Sequence, residues 1–290
     1  MRQHLVEEHL NHNQQTRELE ESYAGHRGRI MQLIEATVAD LSGASAGRCS
    51  SLVLLGAGNC LDVDLQQLTK LFQKIHLVDL DKGSLAAAAD RNNLPPESVE
   101  LHAPVDIAEP LMSLRPDDFE MTPDRRDHCT KVLQALSAEH AATEIPEADV
   151  VVSLCLLSQL IGTLEHLIHS SEPVSGHAIK AVRVGHLRRM LNMLRPGGVA
   201  ILVSDIVSSE TAPELLEASD SQLPELLSRL ISERIFFSAT NPSLMINELN
   251  ILTRLPGGAE SVETIDPWLW QLGNRRYAVY GLRFQKVLPQ

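Results

Sequence analysis

Gly56-Ala57-Gly58 stands between an apolar run, Ser51-Leu52-Val53-Leu54-Leu55, and a helical pattern that opens near Asp62. A strand turning this tightly into a helix leaves backbone N–H groups unpaired and aimed at whatever sits above the turn, an arrangement suited to an anionic group. A second apolar run, Ile75-His76-Leu77-Val78, ends in Asp79. Asp79 follows the turn by about 20 residues, the interval at which a nucleoside-binding βαβ unit places a carboxylate on ribose hydroxyls. Turn and acid together constrain the chain to an α/β unit built around a nucleoside.

The remaining pattern extends that unit. Helices are expected near 62–73 and over 84–92, the second capped by Asp81, with Leu94-Pro95-Pro96 ending it. Residues 99–105 read as a third strand running into Asp106, and 148–153, β-branched and continuously apolar, as a central parallel strand. A helix carrying Leu187, Met190, Leu191 and Leu194 stops at Arg195-Pro196-Gly197-Gly198, and a fifth strand follows at 199–204. Helical patterns then cover 212–233 and 242–254. Residues 277–284 alternate as a strand, with a partner at 261–265 or at 268–272. Strands alternating with helices and closed by a β pair make a doubly wound α/β sheet. Residues 1–47 form an N-terminal helical extension, polar and patternless to about residue 20 and helical over 23–41. Residues 48–290 form the α/β domain, with an irregular, proline-interrupted insertion at about 107–146 around a helix over 124–140.

Composition narrows the partners. Lys+Arg 25 against Asp+Glu 38 gives a net charge of −13, which repels polyphosphates, so no nucleic-acid partner is expected. Cys49, Cys60, Cys129 and Cys155 form no CxxC pair and read as reduced thiols. No apolar stretch reaches the length of a membrane span and the first residues lack a signal-peptide core, so no membrane partner and a cytoplasmic location are expected. Aromatics are only 3% of the chain, so Tyr23, Trp268, Trp270 and Tyr277 stand out as surfaces for a planar substrate.

Four pieces in order, LVLLGAGNC (52–60), IHLVDLD (75–81), the acid of VDIAE at Asp106, and EADVVVSLCLLSQL (147–160) followed by HLRRMLNMLRPGGVAILVSD (186–205), resemble the class I S-adenosylmethionine-dependent methyltransferases over about 48–287. The resemblance implies a Rossmann-like seven-stranded sheet, mostly parallel with the last strand antiparallel, and S-adenosyl-L-methionine as cofactor. It also implies cofactor-binding positions. Gly56, Ala57, Gly58 and Asn59 would line the methionine end, Asp79 and Leu80 would meet the ribose, Asp106 with Ile107 would read the adenine edge, and Ser153 with Leu154 would wall the methyl group. A carboxylate on vicinal hydroxyls, and an acid plus a backbone N–H on a donor–acceptor edge, are chemically apt for those tasks.

The departures are specific. The family's first motif opens with an acid where this chain has Leu54 and ends with a third glycine where it has Cys60. Asp62 and Asp64, at the start of the next helix, would replace the missing partner for the cofactor's ammonium group. The nucleobase-amine signature Asn-Pro-Pro-Tyr is absent after the fourth strand, which favours a small-molecule acceptor with a nitrogen, oxygen or sulfur nucleophile. Tyr23, His26, Gln159 and His166 are substrate candidates, the first two on a helix that either lids the acceptor or simply packs on the sheet. No catalytic base is assigned. The His166–His169 spacing lacks further ligands, so no metal is expected. A nicotinamide or flavin enzyme would need a third glycine where Leu61 stands. A non-catalytic cofactor-binding or scaffold protein on the same fold is the alternative.

Overall fold

A computed structural model describes residues 10, 13–42, 48–107, 123–137, 145–167, 172–253 and 257–288. Seven strands, β1 (Cys49–Leu55), β2 (Phe72–Val78), β3 (Val99–His102), β4 (Ala148–Leu154), β5 (Leu194–Ser208), β6 (Ala259–Leu272) and β7 (Arg275–Lys286), form one sheet in the order β3-β2-β1-β4-β5-β7-β6. β1 to β5 pair in parallel, and β7 runs antiparallel to both of its neighbours. The central stretches of β1, β2, β4 and β5 are buried and largely apolar because both of their faces are covered.

Alternation along the strands divides the core. Leu52, Leu54, Ile75, Leu77, Val150, Val152 and Val279 face one layer of helices: α1 (Ala24–Ser42), α2 (Leu65–Leu71) and α3 (Lys82–Arg91). Val53, Leu55, Val78, Val151, Leu202 and Phe284 face the other: α4 (Pro123–Ser137), α5 (Leu156–Leu167), α6 (Glu172–Asn192), α7 (Leu223–Ser232) and α8 (Pro242–Leu252). α1 buries Ile30, Ile34 and Val38 in the first layer, so the N-terminal helix shares the core of the sheet. α4 and α6 cross so closely that a Cβ on Gly185 would lie 1.8 Å from the Leu136 carbonyl oxygen.

The helix expected over 212–233 is a 3-10 turn at Pro213–Leu216 followed by α7, and Leu194 begins β5 rather than ending α6; three further elements differ for evident local reasons. The helix expected at 62–73 begins at Leu65, capped by the Asp64 carboxylate, and ends where Phe72 becomes extended and enters β2 directly. β3 stops at His102, ahead of Pro104, which has no N–H to give a ladder. The two candidate partners of β7 are one strand, β6, whose register shifts between Ile265 and Trp268, at Asp266-Pro267. Among the described residues no helix is long and apolar enough to cross a membrane.

Candidate functional site

The turn after β1 needs its glycines. Gly56 has φ +65° and Gly58 φ +46°, and a Cβ on Gly58 would lie 3.0 Å from Asn13 Oδ1. Parallel pairing carries the ends of β1 and β2 to the same edge, and the Ala57 N–H donates to the Val78 carbonyl at 3.1 Å. Asp79, only 2% exposed, turns its carboxylate toward this bend. Its Oδ2 accepts the Gly58 N–H at 2.8 Å and its Oδ1 accepts the Asp81 N–H at 2.7 Å. Asp81 caps α3 by accepting the Ser84 N–H at 3.0 Å. Burial raises the Asp81 carboxyl, but hydrogen bonds from Ser84, Asn13 and Gly83 outweigh it and hold the group below the ordinary carboxylate range.

Above the bend lies a cavity of about 50 Å³, bordered by Gly56, Gly58, Asp62, Leu154, Gln159 and Trp270. A helical turn at 13–16 borders it through Asn13 and Thr16. Asn13 Nδ2 donates to Asp81 Oδ2 at 3.1 Å, and Asn59 Nδ2 donates to the Asn13 carbonyl and to Thr16 Oγ1, the latter at 3.2 Å. Two bordering side chains carry a buried polar atom with no hydrogen-bond partner among the described residues, Asn59 Oδ1 and Trp270 Nε1. Such atoms are costly to leave unpaired, and they fit a polar ligand in the cleft.

One wall is aromatic. Tyr23 meets Trp270 edge-on at 5.3 Å between ring centroids, and Tyr277 lies 5.5 Å from the same ring. His26 stacks on Trp270 at 4.2 Å and 13°. The Trp268 indole donates to His26 Nδ1 at 3.0 Å, which places the imidazole proton on Nε2, 3.3 Å from Asp62 Oδ1. His26 is 1% exposed and does not border the cavity, and its buried Nε2 has no hydrogen-bond partner among the described residues. Burial pushes the Tyr23 hydroxyl and the Cys155 thiol well above their ordinary ranges, so neither supplies an anionic base or nucleophile near neutrality.

The cavity thus gathers Gly56, Ala57, Gly58, Asn59, Asp62, Leu154, Tyr23 and Gln159 from the sequence-derived set. Asp79 supports the bend from beneath, followed by half-buried Leu80. Asp106 is half-buried beyond β3, while Ile107 is part of the core of the second layer. The Ser153 hydroxyl faces away, 2.9 Å from His186 Nε2. That ring is buried and, pushed down to about 3 by burial and Arg189, stays neutral. The His166 side chain lies outside the described residues, as does His169. Sequence reasoning missed Asn13 and Thr16, which lie in a stretch without apolar periodicity. It also left unassigned Asp205, near the carboxyl end of β5, whose carboxyl is raised by burial against an opposing hydrogen bond from Ser158.

No protein-family model matches the chain, and no curated protein does. Among solved structures it is similar to the N-methyltransferase NodS from Bradyrhizobium japonicum WM9 in complex with S-adenosyl-l-homocysteine (13% identity, 90% of this chain and 86% of that one, TM-score 0.42). It is also similar to the methyltransferase domain of bacterial CtHen1 (11%, 89% and 96%, 0.44). A third is a putative RNA methyltransferase, PH1948 from Pyrococcus horikoshii (9%, 89% and 82%, 0.42). The architecture is defined by the sheet itself: five parallel strands ordered 3-2-1-4-5, a topological switch between β1 and β4, and an antiparallel β7 inserted between β5 and β6. This is the Rossmann-like seven-stranded sheet, mostly parallel with an antiparallel β7, that the resemblance to the class I S-adenosylmethionine-dependent methyltransferases implies.

Proposed function

We propose that the chain binds S-adenosylmethionine over the Gly56–Gly58 bend and transfers a methyl group to a small-molecule acceptor. The observation that carries this reading is the Asp79 carboxylate docked on the Gly58 amide beneath a cavity bordered by unpaired buried polar atoms. Gly56, Ala57, Gly58 and Asn59 would hold the amino-acid end, and Asp62 would pair with its ammonium. The Asp79 carboxylate, at the end of β2 and beside Leu80, would meet the sugar hydroxyls. Asp106 and the Ile107 backbone would meet the base, and the Ser153–Leu154 backbone would wall the methyl.

Bound there, the sulfonium would supply an activated methyl for in-line displacement, which leaves the protein to align the acceptor and exclude water. Tyr23, Gln159 and Trp270 would position the acceptor, and the aromatic wall suits a small planar or apolar molecule. The net charge of −13 disfavours nucleic acid. Buried thiols in all four cysteines accord with a reducing, cytoplasmic setting. Ligand sites usually occupy about 300–1,000 Å³. At about 50 Å³ the cavity admits a nucleoside only after the turn at 13–16 withdraws, so that turn, ahead of the packed helix α1, would serve as a lid on the domain at 48–290.

Calorimetry with S-adenosylmethionine and with its demethylated product tests the reading. Both are expected to bind, at least about tenfold more weakly to Asp79→Asn and Asp106→Ala, a loss of about 1.4 kcal/mol. Binding of neither, or of NADH alone, overturns it. Binding of both without product from any acceptor in a small-molecule panel identifies a cofactor-binding scaffold instead.

A further inference from the structure

The edge of the sheet opposite β6 carries a second constellation. His76 on β2 is the direct register partner of Glu100 on β3, and Glu100 and His102 lie two residues apart, so all three share one face. His76 Nδ1 is 3.0 Å from His102 Nε2. Glu100 sets Oε2 3.8 Å from the first nitrogen and Oε1 3.8 Å from the second. The donor atoms of the three residues lie within 4.8 Å of one another.

The geometry points to a zinc-type divalent cation site made by His76, Glu100 and His102, independent of the nucleoside cleft. Bonds of about 2.0–2.1 Å in a tetrahedral shell set ligand atoms about 3.3 Å apart, so the two nitrogens must part by a few tenths of an ångström and the carboxylate close by about half. Two imidazoles and one carboxylate are a borderline-soft donor set that favours zinc over magnesium or calcium, and three protein ligands leave one position for water.

Burial varies usefully across the set. His76 is 4% exposed, while the Glu100 side chain is 51% exposed and gives the ion an entry path. Burial and the adjacent His102 hold the His76 ring below the ordinary histidine range. Entry of the ion requires both facing nitrogens bare, and the proton shared between them moves to a far ring nitrogen. Lys74 Nζ, 3.7 Å from Glu100 Oε2 and also 3.3 Å from the Glu97 carbonyl, is the competing cation and must release that carboxylate. The bound ion would clip the four-residue edge strand β3 to β2. No metal is expected from the sequence, because these residues become a set only in this register.

The 290-residue chain is titrated with zinc chloride by calorimetry beside Glu100→Gln and His102→Gln. One equivalent is expected on the wild type, with affinity falling about 10–100-fold or more in His102→Gln and less in Glu100→Gln. Equal affinity in all three proteins, or no saturable binding by the wild type, overturns the site. Cobalt(II) added to the wild type alone gives a readout that needs no variant to fold. An intense visible band of four-coordinate cobalt supports the assignment, and the weak spectrum of the aqueous ion overturns it.

Discussion

Replacing Asp79 separates a carboxylate that only marks a turn from one that holds it. The buried side chain accepts two backbone N–H groups, from Gly58 at 2.8 Å and from Asp81 at 2.7 Å. Hydrogen bonds to a charged group contribute about 1.5–3 kcal/mol each. Asp79→Asn keeps one carbonyl acceptor and turns an NH₂ group against the other donor, so it should cost about 1.5–3 kcal/mol. Asp79→Ala loses both bonds and leaves both donors without an acceptor, which sets a cost of about 3–6 kcal/mol. Urea unfolding without ligand reads the difference as midpoint shifts at unchanged slope. A cost below about 1 kcal/mol for Asp79→Ala would refute the argument, since two charge-assisted bonds cannot be lost so cheaply. So would an Asn variant as unstable as the Ala variant.

Three further outcomes are expected. Asn13→Ala removes the bond from the lid to Asp81 at 3.1 Å and should tighten apparent S-adenosylmethionine affinity by up to about tenfold in calorimetry, while unchanged or weaker affinity removes the lid from the account. Glu248→Ala strands the Arg183 guanidinium, now paired at 3.1 Å with both side chains 7% exposed, and should cost about 3–5 kcal/mol by urea unfolding. His186 is held to about 3, against an ordinary value of 6.5, by burial and then by Arg189. The unfolded chain therefore takes a proton that the folded one refuses. Stability present above pH 6.5 is lost as pH falls toward about 3, at about 1.4 kcal/mol per unit, and His186→Gln should flatten that slope in urea midpoints.

What was legible in the sequence was local. The Gly56–Gly58 bend, the acid at Asp79 and the cap at Asp81 declare themselves through neighbours close in the chain, and the structure joins all three by hydrogen bonds. The apolar runs of β1, β2, β4 and β5 were readable because a strand covered on both faces has few polar positions. What escaped depends on register or on distance. His76, Glu100 and His102 look like ordinary strand residues until β2 and β3 pair. Asn13 reaches Asp81 across 68 positions from a polar stretch with no period to betray it. Asp266-Pro267 reads as a break between two strands, whereas the sheet absorbs it as a bulge within one. Ser153 stands in the segment read as the cofactor wall, and a period of two turns its hydroxyl toward His186 in the opposite layer, a direction no local pattern shows.

The placement of β7 bears on how such a chain is made. β6 leaves the ribosome before β7 but reaches the sheet only through it, and β5 also lacks its outer neighbour until then. During synthesis the nascent chain therefore carries two unmatched ladders, at β5 and at β6, until residues 275–286 slide between them. That interval is when a holdase chaperone has most to shield. A stop codon just ahead of Arg275 would make the exposure permanent and send the product toward aggregates or proteolysis.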